Sequence, residues 1–274
     1  DYIFTKYCNT NSERDIVLEF NKPGNMRQTK HLAMWSGPRN LSTAMMYAFA
    51  QRSDCRVWDE PFYAAYLAAT GLNHPMRDAI ISAGDPDPET VISKCLCTAP
   101  NDKPLFYQKH MTQHIIPSFR RDWVLDQTNI FLIRHPARVL ASYVKKWNNP
   151  TLNDIGFSQQ AELIDLVSRE SGAEPLVVDS ADIHNDPKMM LTKICGAVGI
   201  PFEDQMLSWP KGGNTQDGVW APHWYSAVWD STGFVGPENP MPAVAPDLED
   251  VFQQAKYLYD RMSEIKLSPG TQTA

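Results

Sequence analysis

Two stretches of the chain carry residue types that hold an anion. The first is Ser36-Gly37-Pro38-Arg39-Asn40-Leu41-Ser42-Thr43, a tight turn placed where an apolar run gives way to a helical pattern. A helix start offers unpaired backbone N–H groups and the positive end of the helix dipole, so anions collect there. Arg39 adds a permanent charge in a fork geometry suited to phosphate or sulfate oxygens, and Ser42 and Thr43 add hydroxyl donors. The same residues also suit an ordinary βα turn with serine as N-cap. The second stretch is Arg134-His135-Pro136 with Ser142 beyond it. Pro136 forces a turn after an apolar strand, and Ser142 falls about one and a half turns along the next helix. Arg134 and Ser142 can then converge on one anion at the C-terminal edge of a sheet, where open α/β sheets bind ligands.

Those loops need a sheet to carry them, and the chain supplies one. Short apolar runs alternate with helical patterns from Lys30 onward, as in parallel βαβ units. The spacing predicts strands at His31–Trp35, Cys55–Trp58, Leu105–Gln108, Asn129–Ile133 and Pro175–Val178. Helices are predicted at Thr43–Ala50, Phe62–Thr70, twice within 75–97 on either side of Gly84-Asp-Pro-Asp-Pro88, at Ala137–Lys146, at Gln159–Glu170 and from Asp186-Pro187 to near Gly199. Trp209 to Pro246 is rich in Pro, Gly and Trp without clean periodicity and reads as an ordered excursion over the sheet. A last helix places Leu248, Val251, Phe252, Ala255, Leu258, Tyr259 and Met262 on one face. The expected fold is α/β: three layers of P-loop type, a central parallel sheet flanked by helices, and an aromatic-rich C-terminal cap. Residues 1–29 read as an N-terminal arm or extension, 30–267 as a single domain and 268–274 as a polar tail.

Composition narrows the partners. With a formal net charge of -7 and no long Lys/Arg run, the chain has no electrostatic reason to bind nucleic acid. No apolar stretch reaches the roughly 18 residues of a membrane span. Five cysteines at irregular spacing argue against a disulfide framework, and no partner pair or histidine cluster turns Cys95 and Cys97 into a zinc site. Reduced thiols in a cytoplasmic protein, with no metal, are expected. A small-molecule partner is expected, and a homodimer stays open. The first loop lacks the second Gly and the Lys of G-x-x-x-x-G-K-[ST], which removes the main support for an NTPase or kinase.

At these two loops the chain resembles the PAPS-dependent sulfotransferases, specifically a bacterial subset with a Gly-Pro-Arg-Asn-x-Ser-Thr loop. Arg134, Pro136 and Ser142 match the family's second signature, an Arg-x-Pro turn with a Ser eight positions after the Arg. Pro38 to Thr43 lies on the first, a Pro-Lys-Ser-Gly-Thr-Thr-like loop. The resemblance covers roughly 30–235 in patches. It implies transfer of a sulfuryl group from PAPS, with PAP as product, to a hydroxyl or amine of a small molecule. It assigns Arg39, Ser42 and Thr43, with Gly37, Pro38, Asn40 and Leu41 of the loop, to the 5′-phosphosulfate, and Arg134 and Ser142 to the 3′-phosphate. Lys211, in Trp209-Pro-Lys-Gly212, falls near the family's late nucleotide-contacting loop. Two departures stand out. Arg39 replaces a Lys that steadies the bridging oxygen in many members. Leu41 replaces a Gly, so the loop is expected to forgo positive φ there.

A hydroxyl acceptor needs a general base, and three residues compete. His114 comes first, since imidazole titrates near neutrality and the Lys109–His114 segment follows the third strand, where the family places a Lys/His segment. His110 is next. Glu60 follows the second strand at the ligand edge, although Asp59-Glu60-Pro61 also suits a helix start. Lys109 is expected near the donor or an acidic partner. Trp220, Trp224, Tyr225, Trp229 and Phe234 suit core positions or the wall of an acceptor pocket, where with Asp59 and Glu60 they would favour a cationic acceptor. Two other readings use the same scaffold: a nucleotide-dependent kinase or phosphotransferase, and a non-catalytic nucleotide-binding protein.

Overall fold

The computed structural model describes residues 29–270 apart from 98, 100 and 102. The arm expected over 1–29, except Thr29, and the end of the tail at 271–274 lie outside the described residues. Five strands form one parallel sheet: β1 (Lys30–Ser36), β2 (Cys55–Asp59), β3 (Leu105–Met111), β4 (Thr128–Ile133) and β5 (Leu176–Asp179), in the order β2-β3-β1-β4-β5. β1 and β4 are neighbours although the chain visits β2 and β3 between them. The order therefore reverses at β1/β4, and that crevice is where sheets of this kind seat ligands.

The strands alternate, and each face buries its own cluster. On one face Ala33, Trp35, Phe131 and Ile133 pack with residues of the helices Pro88–Cys95, Pro136–Tyr143, Phe157–Ser171 and Glu249–Ser263. On the other Leu32, Met34, Ile130 and Leu132 pack with the helices Ser42–Ala50 and Pro187–Ala197. Helix, sheet and helix make the three expected layers. In chain order the helices are α1 (Ser42–Ala50), α2 (Tyr63–Thr70), α3 (Arg77–Ala83), α4 (Pro88–Cys95), α5 (Pro136–Tyr143), α6 (Phe157–Ser171), α7 (Ser180–Asn185), α8 (Pro187–Ala197), α9 (Ala221–Trp224), α10 (Ser226–Trp229) and α11 (Glu249–Ser263). Several starts are written in the sequence. Asp87 accepts from Thr90 N at 2.9 Å ahead of Pro88, and Asp186 from Met189 N at 2.9 Å ahead of Pro187.

Three expectations need correction. β3 runs to Met111, three residues past the predicted Gln108, because Lys109, His110 and Met111 pair in register with Met34, Trp35 and Ser36. Helix α5 stops at Tyr143 rather than Lys146. Cys55, Cys95 and Cys195 are free and buried, but Cys97 is disulfide-bonded, which irregular cysteine spacing gave no means to foresee. Among the described residues no helix is long and apolar enough to cross a membrane.

Candidate active site

A cavity of about 300 Å³ opens at the C-terminal edge of the sheet. Its floor is the loop from Pro38 to Leu41 with the start of α1. Arg39 and Leu41 both take positive φ, at 64° and 73°. Leu41 is the N-cap of α1 and no side chain caps the helix start, which leaves it open to a ligand. Pro38, Arg39, Asn40, Leu41, Ser42 and Thr43 all line the cavity. Gly37 does not reach it. A Cβ at Gly37 would stand 2.3 Å from the Ile155 carbonyl oxygen, so that glycine allows a close backbone approach.

The second loop meets the first. Arg39 Nε donates to Ser142 Oγ at 2.8 Å, and Arg134 donates from one terminal nitrogen to the Arg39 carbonyl at 2.6 Å. Burial and then the neighbouring Arg134 charge lower the Arg39 pKa from its usual value. The two guanidinium groups are close enough to influence each other's charge. Arg134, Arg39 and Ser142 all line the cavity.

The opposite wall is a buried ionic cluster. Lys109, 1% exposed, donates to Asp59 Oδ1 at 2.9 Å, to Glu60 Oε1 at 2.5 Å and to the Tyr225 hydroxyl at 2.7 Å. Tyr225 also accepts from the Trp220 indole N–H at 3.0 Å and lies 2.9 Å from both Asp59 carboxylate oxygens. Burial would lower the Lys109 pKa, but the Asp59 and Glu60 carboxylates outweigh it and the pKa rises. Burial raises the Glu60 pKa from its usual value; Lys109 opposes the rise and Asp59 adds to it. Glu60 takes φ 41°, and its N–H donates to the Lys109 carbonyl at 2.9 Å. Lys109 thus holds Glu60 by backbone and side chain together. Glu60, Lys109, Tyr225, His114, Tyr63 and Trp224 line this side of the cavity.

The sulfotransferase-domain family matches residues 30–265. The chain belongs to this family. Two Arabidopsis thaliana proteins are similar to this sulfotransferase-domain chain, branched-chain-amino-acid aminotransferase-like proteins 2 and 1. The first is 34% identical over 229 residues and the second 36% over 216, covering 82% and 78% of this chain. The chain spans about two fifths of their length, 40% and 38%. The crystal structure of a sulfotransferase from Alicyclobacillus acidocaldarius covers 87% of this chain and 97% of its own at a TM-score of 0.50. At 10% identity that is a likeness of fold alone.

Within this sulfotransferase-family fold, the sequence-predicted residues separate into two groups. Arg39, Ser42, Thr43, Arg134, Ser142, Glu60, Lys109 and His114 share one cavity. His110 does not. It follows Lys109 in a strand and so faces the opposite side of the sheet. There it stacks on Trp35 at 4.3 Å and lies 3.1 Å from Gln108 Oε1. Burial pushes its pKa down to about 3. Lys211 does not share the cavity either. Its side chain is 67% exposed, 3.7 Å from Asp230, and outside the cavity. Leu41 corrects a third expectation, since it adopts the positive φ that the missing Gly was expected to deny. His114 lines the cavity but is sandwiched between Tyr63 at 4.5 Å and Tyr66 at 4.8 Å. Burial first, then nearby His74, Lys109 and His110, hold its pKa well below the ordinary histidine value.

Sequence reasoning missed Tyr225 as a member of the ionic cluster, Arg138 beside Arg134, and Glu238. Arg138 had a signal. Arg138 and Ser142 are spaced by four within α5, which sets them along one helix face just after Arg134. The other two come from the cap, where no periodicity points to them.

Proposed function

We propose that this protein transfers a sulfuryl group from PAPS to a hydroxyl or amine of a small-molecule acceptor. One observation carries the reading: two arginines and the uncapped start of α1 converge on one side of a cavity whose other side holds a buried carboxylate of raised pKa. The residues fit a donor with two anionic groups. Arg39, Ser42 and Thr43 suit one, and Arg134 with Ser142 suits the other. When bound, the donor supplies the activated sulfuryl group. Arg39 and the α1 N–H groups stabilise charge that builds on the oxygens around the reacting sulfur. Ordering both partners in one cavity contributes as much as any charge.

We assign the base to Glu60 rather than His114. A raised carboxyl pKa makes the Glu60 carboxylate a stronger proton acceptor, whereas burial makes the His114 imidazole a weaker one. Lys109 and Tyr225 fix the Glu60 rotamer and receive its charge changes. Tyr63, Tyr143 and Trp224 supply aromatic walls for the acceptor and exclude water from it.

Thermal unfolding with PAP, ADP and ATP tests the donor. A ligand that binds only the folded state near 100 times its dissociation constant stabilises by about 2.7 kcal/mol. PAP is expected to raise Tm in the wild type and not in Arg134→Leu. A shift with ATP and none with PAP would replace this reading with the phosphotransferase one.

A further inference from the structure

Arg134 shares the end of β4 with a second guanidinium and a carboxylate that no donor reading uses. Arg134 Nε donates to Glu238 Oε1 at 2.8 Å, its second terminal nitrogen also pairs with that oxygen, and Arg138 Nε lies 2.9 Å from Glu238 Oε2. Each oxygen of one carboxylate thus faces its own arginine. The Glu238 side chain is 7% exposed, although the segment that carries it is not buried: Val235 is 66% and Met241 52% exposed. That segment, Val235 to Ala245, is rich in Pro, and its first residue lines the cavity. It is tied at one end by the bridge from Gly233 to Ser208 and by His184 Nδ1, which donates to the Val235 carbonyl at 2.8 Å. His184 Nε2 stands 4.0 Å from Glu238 Oε1. At the other end Val244 and Leu248 pack into the core.

We propose that Arg134 and Arg138 form a subsite for a phosphomonoester, and that Glu238 occupies it as the chain's own stand-in until the ligand displaces it. The chemistry matches. A carboxylate offers two oxygens and one charge to a pair of arginine forks. A phosphomonoester offers three oxygens and about -1.5 to -2 charge at neutral pH, so it outcompetes the carboxylate there. With the ligand absent, Glu238 neutralises two guanidinium groups that would otherwise repel each other in a half-buried crevice. A phosphate bound there takes the place of the Glu238 carboxylate on the two arginines. The inference rests on the donor reading where it takes that phosphate to be the 3′-phosphate of PAPS. It adds Arg138 to the site and makes Glu238 the residue that separates ligands with a 3′-phosphate from those without one.

Calorimetric titration of PAP and of 5′-AMP, which lacks the 3′-phosphate, into the wild type, Glu238→Gln and Arg138→Met tests this. If Glu238 holds the subsite about nine-tenths of the time, its removal tightens PAP by about tenfold. Affinity for 5′-AMP is expected to stay within about twofold in both variants, and Arg138→Met to weaken PAP by about tenfold or more, as loss of a charge-assisted bidentate contact does. PAP binding alike to wild type and Glu238→Gln overturns the inference and leaves the donor reading standing. Equal tightening of PAP and 5′-AMP in Glu238→Gln also overturns it, because the carboxylate then guards the cavity and not a phosphate subsite. PAP binding to none of the three proteins overturns both.

Discussion

Lys109→Met is expected to destabilise the protein by an amount that depends on pH. Lys109 is 1% exposed, and methionine nearly matches its volume, so packing changes little. What the variant loses is the counter-charge. Asp59 and Glu60, 3% and 8% exposed, stay buried with no lysine 2.9 and 2.5 Å away. Removal of one partner from a buried ion pair costs about 3–5 kcal/mol. At roughly 2–4 °C per kcal/mol for a chain of this size, Tm should fall by about 6–20 °C at pH 7.5. The sign with pH follows from Glu60. Its folded pKa is already raised, chiefly by burial, and removal of Lys109 withdraws the main opposing influence. A carboxyl with a raised folded pKa favours the fold below its unfolded pKa, and that contribution is lost as pH rises through the folded value. The deficit should therefore be larger at pH 7.5 and shrink as pH falls toward the ordinary value of 4.5. Differential scanning calorimetry of wild type and variant across that range measures it. A drop under about 2 °C at pH 7.5, or a deficit that does not change with pH, would refute the claim that Lys109 is there to neutralise two carboxylates.

Glu60→Gln should lower kcat by roughly 100- to 10,000-fold, the usual contribution of a positioned base, and leave PAP affinity intact. In the wild type kcat/KM should fall as pH drops through the raised Glu60 pKa, and this acid limb should vanish in the variant. Ser142→Ala removes the hydroxyl that anchors Arg39 at 2.8 Å. It should raise the donor KM by roughly 10- to 100-fold, one hydrogen bond to a charged group, with a stability change within about 1 kcal/mol.

The five strands and their order of appearance were legible because buried parallel strands are apolar runs, and helix starts at Asp87-Pro88 and Asp186-Pro187 are written in side chains that cap. The end of β3 was not. Gln108, Lys109 and His110 form a polar sequence inside a fully buried strand. Gln108 donates to the Cys95 carbonyl, Lys109 is neutralised by two carboxylates, and His110 lies on Trp35. Hydropathy registers the polar groups and not the partners that make them tolerable. The same blindness hid half of the site. Tyr225 stands 116 residues from Lys109 and Glu238 stands 104 from Arg134, in a cap with no helical or strand period. Their partners are fixed by tertiary geometry, which no local window contains. The two loops after β1 and β4 were legible for the opposite reason. Their residues are close in sequence and their spacing is that of a strand–turn–helix.

Leu41 shows why a departure from a family motif need not disable a loop. Read as a sequence, leucine in place of glycine denies the loop a left-handed residue. In the fold Leu41 sits at φ 73°, and Arg39 and Glu60 around the same cavity also take positive φ. Each such residue costs on the order of 1–3 kcal/mol and persists only where its surroundings over-determine it. Here they do. Leu41 packs against the core cluster beneath β1, and its carbonyl accepts from Met45 N at 3.1 Å. Arg134 grips the Arg39 carbonyl, and Lys109 grips Glu60 by carbonyl and ammonium. A glycine at position 41 would reach the same φ without strain but would give up the apolar contact and leave the loop freer in the unfolded chain. The leucine therefore exchanges backbone ease for a loop pinned to the core, with the start of α1 left uncapped toward the cavity. The chain keeps the loop's geometry while changing its residue, so the loss of the glycine is no evidence against anion binding.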